Sequence, residues 1–365
     1  MKVVLTRSHN VFEIGGINTY VWSLACELCR RDFTVHVISG CGKVNEMDKY
    51  WAERFNGEVH TLKETNFISK NEQFATWITK GSRLIRQLKP DVVHFNGMVP
   101  FMFDGTKSVV TCHGVLNKPL TFTNVLYDKI AYKYFANTII AVSKKVKDEL
   151  LKYLKVREDK INVIPVGLDM SPFSVTPIKE RENAILCGWG QIKNPETSLK
   201  VYHELKKRGL QCKLYVAGLS RNQALSSMPK LASLVQDKGI IFTGRLNRIS
   251  MVKLYQTVKC GLIPSFYEAF PYGVLELFAC GTPVVGSSMI TEELVKPMHC
   301  SFVARPEDYF SMSNHVFKLL TDDELWRKMS YNAQEHVKIF SIDRITDAII
   351  SVYHHSIDGE NTVFA

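Results

Sequence analysis

The chain has 365 residues, 45% hydrophobic and 22% charged, with a formal net charge of +10. That length exceeds one ordinary core and calls for two domains, while the composition excludes a disordered or collagen-like chain. No run approaches the ~18 apolar residues of a spanning helix, and MKVVLTRSHN turns polar too soon for a secretory leader.

Nine cysteines, odd in number and scattered among apolar residues, read as reduced thiols in a cytoplasmic protein. Cys26 and Cys29 have CxxC spacing, but no second pair or nearby histidine completes a metal site, so core packing is expected. Charge is uneven: residues 1 to 170 hold 24 Lys and Arg against 17 Asp and Glu, and the remainder 22 against 19. A basic first half suits an anionic surface or a phosphorylated substrate, or is simply a solvated face. No nucleic-acid-binding module accompanies it.

In chain order, VVLT opens as an apolar strand, and TRSHNVFEIGG leads into a helix. Ile17, Tyr20, Val21, Leu24, Ala25 and Leu28 give that helix one buried face. Gly15 and Gly16 stand at its start, where close backbone approach and free amides suit a diphosphate, or simply a tight turn. FTVHVIS follows and runs into Gly-Cys-Gly-Lys. The absence of GxGxxG and of an acid ending that strand counts against a nicotinamide dinucleotide. DVVHF, SVVTC with His113 just beyond it, TIIAVS and INVIPV complete the first half. Between the last two lies a basic stretch, Lys144 to Lys160, interrupted by Asp148, Glu149, Glu158 and Asp159.

MSPFSVTPIKEREN lacks apolar periodicity and contains Pro and Ser, so residues 171–183 read as a linker. Beyond it AILCGW, CKLYVAG, GIIFTG, CGLIPS, TPVVGSS and CSFVA repeat the strand–helix rhythm. Near-continuous apolar strands alternating with amphipathic helices make an α/β chain with two doubly wound parallel sheets. The domains expected are 1–170 and 184–340, with a helix in 341–365 returning to the first.

Two places in the second half carry chemistry. In CGWGQIKNPETSLK, Asn194 is a good N-cap, Pro195 suits the first helical position and Glu196 the first turn. Lys193 therefore stands just before a positive helix end, which is unfavourable unless an anion sits there as well. In PSFYEAFPYGVLELFACGTPVV, Glu268 falls in a loop and Glu276 a few residues inside the next helix, with Phe270, Tyr272 and Gly273 between them. A carboxylate accepts hydrogen bonds from two adjacent hydroxyls of a ribose or hexose, so the pair suits a sugar nucleotide gripped at two points.

These segments resemble, in order and over nearly the whole length, the retaining glycosyltransferases of family 4. The resemblance rests on the GGIxTYV loop, PDVVHFNG, TCHG, AVSKKVKDEL, INVIPVGLD, the Lys193–Asn194 turn and the E-x7-E motif followed by ACGTPVV. It implies the GT-B fold, two facing Rossmann-like domains with a cleft, the first binding the acceptor and the second the nucleotide-sugar donor. It places Gly15 and Gly16 beside the donor diphosphate and His113 near the transferred sugar. Lys193 would neutralise the departing diphosphate, Glu268 hold the sugar hydroxyls and Glu276 the ribose. No cofactor or metal is expected, since no Asp-x-Asp run stands at a strand end. Where the family has an arginine after the first strand of the second domain, this chain has Trp189, and Arg245 is the candidate replacement. The acceptor expected is a glycan, a lipid-linked sugar or a small molecule, with the basic stretch resting on anionic lipid at the inner membrane face. The rival readings are an epimerase or hydrolase of the same fold and a non-catalytic carbohydrate-binding relative.

Overall fold

The computed structural model describes residues 1–13, 15–43, 47–65, 69–99, 107–116 and 122–358. The chain divides into two compact units, 1–169 with 341–365, and 170–340. Residue 14, at the edge of the first glycine loop, and residues 359–365 of the returning segment lie outside the described residues.

Unit 1 is built on seven parallel strands in the order β3-β2-β1-β4-β5-β6-β7. They are β1 Lys2–Arg7, β2 Thr34–Gly42, β3 Glu58–Glu64, β4 Val92–Phe95, β5 Lys107–Cys112, β6 Thr138–Ala141 and β7 Ile161–Val163. The inner strands are apolar because both faces are covered: Val3, Val4, Leu5, Val92, Val93, Val109 and Val110 are fully buried. Helix α1, Gly16–Arg30, buries the face predicted for it. The sequence reading missed β3. This edge strand, EVHTLKE, is half-buried along its middle and exposed at its ends, so no apolar run marks it.

Unit 2 has six parallel strands in the order β10-β9-β8-β11-β12-β13. They are β8 Glu182–Cys187, β9 Lys213–Val216, β10 Ile240–Phe242, β11 Val258–Ile263, β12 Val284–Ser287 and β13 Ser301–Ala304. Three of its helices matter below: α2 Pro195–Lys207, α3 Arg248–Thr257 and α4 Tyr272–Ala279. A Cβ on Gly261 of β11 would lie 2.4 Å from Leu277 Cδ1, so glycine is what lets α4 lie flat on the strand. Gly281, at φ +68°, ends α4 before the strand TPVV.

The stretch read as a linker belongs to unit 2. Ile178 enters its core. Arg181 is buried and donates to Thr176 O at 2.9 Å, Tyr255 O at 3.1 Å, Val258 O at 2.7 Å and Thr282 Oγ1 at 2.7 Å, with Trp326 beneath its guanidinium. At the other end of the chain, helix α5, Ile342–Asp358, returns to unit 1. Ile342 N donates to Leu168 O at 2.9 Å, and Arg30 pairs with Asp343 at 2.5 Å.

Among the described residues no helix is long and apolar enough to cross a membrane. All nine cysteines are free, and all but Cys29 are buried. Burial pushes the Cys26 thiol up to about 12.

Candidate functional site

Strand order places the chemistry at the carboxyl ends of the strands in both units. In unit 2 the loop after β8 and the loop after β11 are tied together. Phe266 N donates to Ile192 O at 2.8 Å, and Asn194 Nδ2 donates to Pro264 O at 3.2 Å and to Pro306 O at 2.8 Å. Asn194 takes the left-handed conformation, φ +51°, that asparagine tolerates better than most residues. From there its Oδ1 accepts from Thr197 N at 3.4 Å, and Pro195 opens α2.

This tie puts Lys193 Nζ 2.5 Å from Glu268 Oε1. Seventy-five residues separate the two in the chain. Ser265 Oγ donates to the same carboxylate oxygen at 2.8 Å, and Ser265 is itself fixed by Ser287 Oγ on its carbonyl at 2.6 Å. The carboxylate side chain is 11% exposed and the lysine side chain 44%, so the pair has a buried partner and a half-exposed one. A Cβ on Gly188 or Gly190 would stand at ordinary van der Waals distance from the lysine stem, so the stem itself does not demand glycine there.

Glu276 lies on α4 with different company. Tyr255 OH donates to its Oε2 at 2.6 Å, and Arg248 Nη1 donates to its Oε1 at 3.2 Å, both from α3. Burial pushes its carboxyl up, while Arg248 and the tyrosine hydroxyl pull it back. Each carboxylate oxygen keeps a second lone pair for a ligand hydroxyl. No side chain caps the start of α4, and its first turn carries no acid. Phe270 is buried edge-on against Phe340 at 5.3 Å, so its ring packs, and contact with a ligand would run through its main chain. Tyr272, the first helical residue, is buried as well.

The arginine position occupied by Trp189 is committed to packing. The indole Nε1 donates to Ser227 Oγ at 3.0 Å and the ring meets Phe242 at 5.6 Å. Arg245 is exposed and makes no hydrogen bond or ion pair among the described residues. Arg248, three residues on, is the arginine at the glutamate. Sequence reading missed Arg248, Tyr255 and Ser265. The N-cap Asn247 before Arg248 was a usable signal, the other two carried none. A separate hollow in unit 2 is lined by Gln191, Asn194, Phe266, Lys200 and Lys230, and neither Lys193 nor Glu268 borders it.

In unit 1, β5 ends into Cys112-His113-Gly114. His113 Nε2 meets Asn96 Oδ1 at 3.1 Å, and Tyr20 stands edge-on to the ring at 5.0 Å. Asn96 Nδ2 faces a carbonyl, so its oxygen is the atom turned to the ring. Nε2 then carries the proton and Nδ1 is left as an acceptor. Burial, with help from Arg7 and His94, holds the ring down to about 3, so it is neutral. Gly114 turns the chain at φ +121°, and Glu149 Oε2 receives Val115 N at 3.0 Å. Behind His113, a buried chain runs from Tyr20 OH to Thr111 Oγ1 at 3.2 Å. It continues to His94 Nε2 at 2.6 Å, whose Nδ1 meets Tyr353 OH at 2.7 Å. At the start of α1, Gly15 is exposed, and a Cβ there would meet nothing within 4 Å. Packing therefore does not demand glycine at this place.

Three cations of the basic stretch have defined polar partners. Lys147 meets Glu158 at 2.7 Å, Arg157 Nε meets Asp159 at 3.0 Å, and Lys160 Nζ donates to Ala136 O at 2.9 Å.

Residues 14–171 match the family described as Glycosyltransferase Family 4, and residues 188–336 match Glycosyl transferases group 1. The chain belongs to the family 4 glycosyltransferases. Among relatives of this family 4 chain is an uncharacterized glycosyltransferase of Methanocaldococcus jannaschii, 26% identical over 240 residues, 60% of each chain. Another is the serotype-specific mannosyltransferase WbdA of Escherichia coli, 26% identical over 264 residues, 64% of this chain and 32% of that one. The chain thus spans less than two thirds of either relative's length. In fold, the Anabaena protein HepE in complex with UDP-glucose superposes with a TM-score of 0.79, covering 97% of this chain and 99% of that one at 16% identity. The architecture is GT-B.

Proposed function

We propose that this family 4 chain moves a hexosyl group from a nucleoside diphosphate sugar to an acceptor hydroxyl, with retention and without a metal at the diphosphate. The observation that carries this reading is the Lys193–Glu268 pair at 2.5 Å, held at the opening of α2 beside the loop that starts α4. Sugar transfer builds negative charge on the leaving diphosphate, and positioned cations and amides stabilise it as it forms. Lys193 is the half-exposed member and swings to the diphosphate when donor binds. Glu268 stays, anchored by Ser265, and turns its released oxygen to the hydroxyls of the sugar. The uncapped start of α4 adds amides for a phosphate oxygen. Glu276 accepts the ribose hydroxyls while Tyr255 and Arg248 hold it in place.

On unit 1, the neutral His113 ring accepts a hydrogen bond from a sugar hydroxyl through Nδ1, and the open backbone at Gly15 and Gly16 admits a phosphate. Arg245, exposed ahead of α3, remains a candidate second cation. The acceptor is a glycan or lipid-linked sugar; the mannosyltransferase name of one relative and the UDP-glucose bound to one neighbour support a hexose donor. The reaction class fits a cytoplasmic or membrane-peripheral enzyme.

A panel of nucleoside diphosphates and their sugars in a thermal-shift assay names the donor by the stabilised ligand. Product analysis with that donor and an acceptor then follows the anomeric configuration. An axial-to-axial or equatorial-to-equatorial outcome supports retention, and inversion overturns it. Free sugar or an epimerised nucleotide, formed without transfer, would place the chain with the epimerases. Adding magnesium or manganese to chelator-treated protein is expected to leave turnover unchanged.

A further inference from the structure

Unit 1 holds a second group of ligating side chains, towards the other end of its sheet from His113. Strands β2 and β3 run parallel, with His36 opposite Glu58 and Ile38 opposite His60. Side chains two apart on a strand share a face, so Glu58 and His60 point the same way, and the pairing brings His36 beside both. His36 Nδ1 lies 3.1 Å from His60 Nε2 and 3.3 Å from Glu58 Oε2, and His60 Nε2 lies 3.5 Å from that oxygen. Three atoms from three side chains thus form a nearly equilateral triangle.

That triangle has the dimensions of one face of a metal coordination tetrahedron. Ligand atoms about 2.0–2.1 Å from a tetrahedral ion stand roughly 3.3–3.5 Å from each other. Protons alone satisfy the group less well, because each neutral imidazole has one N–H and all three atoms converge on each other. One divalent ion accepts all three lone pairs together. Two imidazoles and a carboxylate are the donor set of zinc and its borderline neighbours, whereas magnesium and calcium take oxygen ligands. Exposure grades from 9% at the His36 side chain to 25% at His60 and 68% at Glu58, leaving an entry path and a fourth position for water. Lys2 is a cation near His36, with its ammonium donated to Leu88 O at 2.9 Å.

We propose that His36, Glu58 and His60 bind one zinc-class divalent cation, which clamps the edge strand β3 onto β2. His36 is six residues before the end of β2, about 20 Å along the strand, so this site is separate from the transfer chemistry. It also differs from the metal-free donor site proposed above.

The test titrates chelator-stripped full-length protein with cobalt(II) and zinc(II). One equivalent is expected, with cobalt ligand-field bands typical of nitrogen and oxygen ligands and no thiolate charge-transfer band. Zinc is expected to raise the unfolding midpoint by a few degrees, on the order of 3 °C. His60→Ala and Glu58→Gln, both on the edge strand, should each weaken binding at least ~10-fold while circular dichroism stays as in the wild type. No binding near one equivalent, a thiolate band from the cysteines, or unchanged affinity in both variants would overturn the site.

Discussion

At the scale of single residues, the second unit separates its two glutamates by the company each keeps. Glu268 shares Lys193 with a future ligand, and Glu276 is braced from behind by Tyr255 and Arg248. Replacing Tyr255 with phenylalanine removes one buried donor, worth about 1 kcal/mol. The donor KM is then expected to rise roughly five-fold with kcat nearly unchanged; a fall in kcat alone would contradict the bracing role. The Asn247 N-cap marks the helix that carries Arg248, but the pairing of either brace with Glu276 was not legible, since Tyr255 and Arg248 precede it by 21 and 28 residues on another helix. The pairing of Lys193 with Glu268 was equally hidden, because it depends on hydrogen bonds between two loops. What spacing did show was Asn194 and Pro195 opening a helix, and two carboxylates flanking a break. Both follow from local backbone chemistry, which a sequence states directly.

At the scale of elements, burial on both faces decided what could be read. Strands covered on two sides announce themselves as apolar runs, and β3, at the edge, does not. The converse error fell at 171–183, where charge and proline suggested a linker but Arg181 is sunk among carbonyls. Burial draws its guanidinium down to about 10. Beyond Thr176 of its own segment, those carbonyls are Tyr255 near the end of α3, Cys280 just after α4 and Val258 at the start of β11, so Arg181 knits the entry segment to the helices of the site. Arg181→Met should leave these acceptors short of donors and destabilise unit 2 by about 3 kcal/mol. Chemical denaturation of the variant measures this, and a loss below ~1 kcal/mol would show the carbonyls rehydrate without cost.

For the whole molecule, the returning helix α5 has a consequence that depends on pH. Tyr353 closes the buried chain that begins at Tyr20, and His94 in its middle is held down to about 3 by burial against an ordinary value of 6.5. Between those values the unfolded chain binds a proton that the folded one refuses. Stability therefore rises with pH across this window and falls on acidification, by up to ~1.4 kcal/mol per pH unit. His94→Gln should flatten this slope in denaturation curves at pH 5 and pH 7, and an unchanged slope would assign the acid sensitivity elsewhere. Ending the chain at Phe340 removes Tyr353 and the Arg30–Asp343 contact, and is expected to lower the unfolding midpoint of unit 1. A helix in 341–365 returning to the first domain was expected from the sequence, but its partner, His94, was not legible.

The most direct test of the account is turnover of Lys193→Ala at saturating donor and acceptor. If the ammonium neutralises a departing diphosphate, kcat falls by about 10²-fold or more while the fold is retained. Turnover within a few-fold of the wild type would show that the charge developing in transfer is met by other groups, and would contradict the central role given to Lys193.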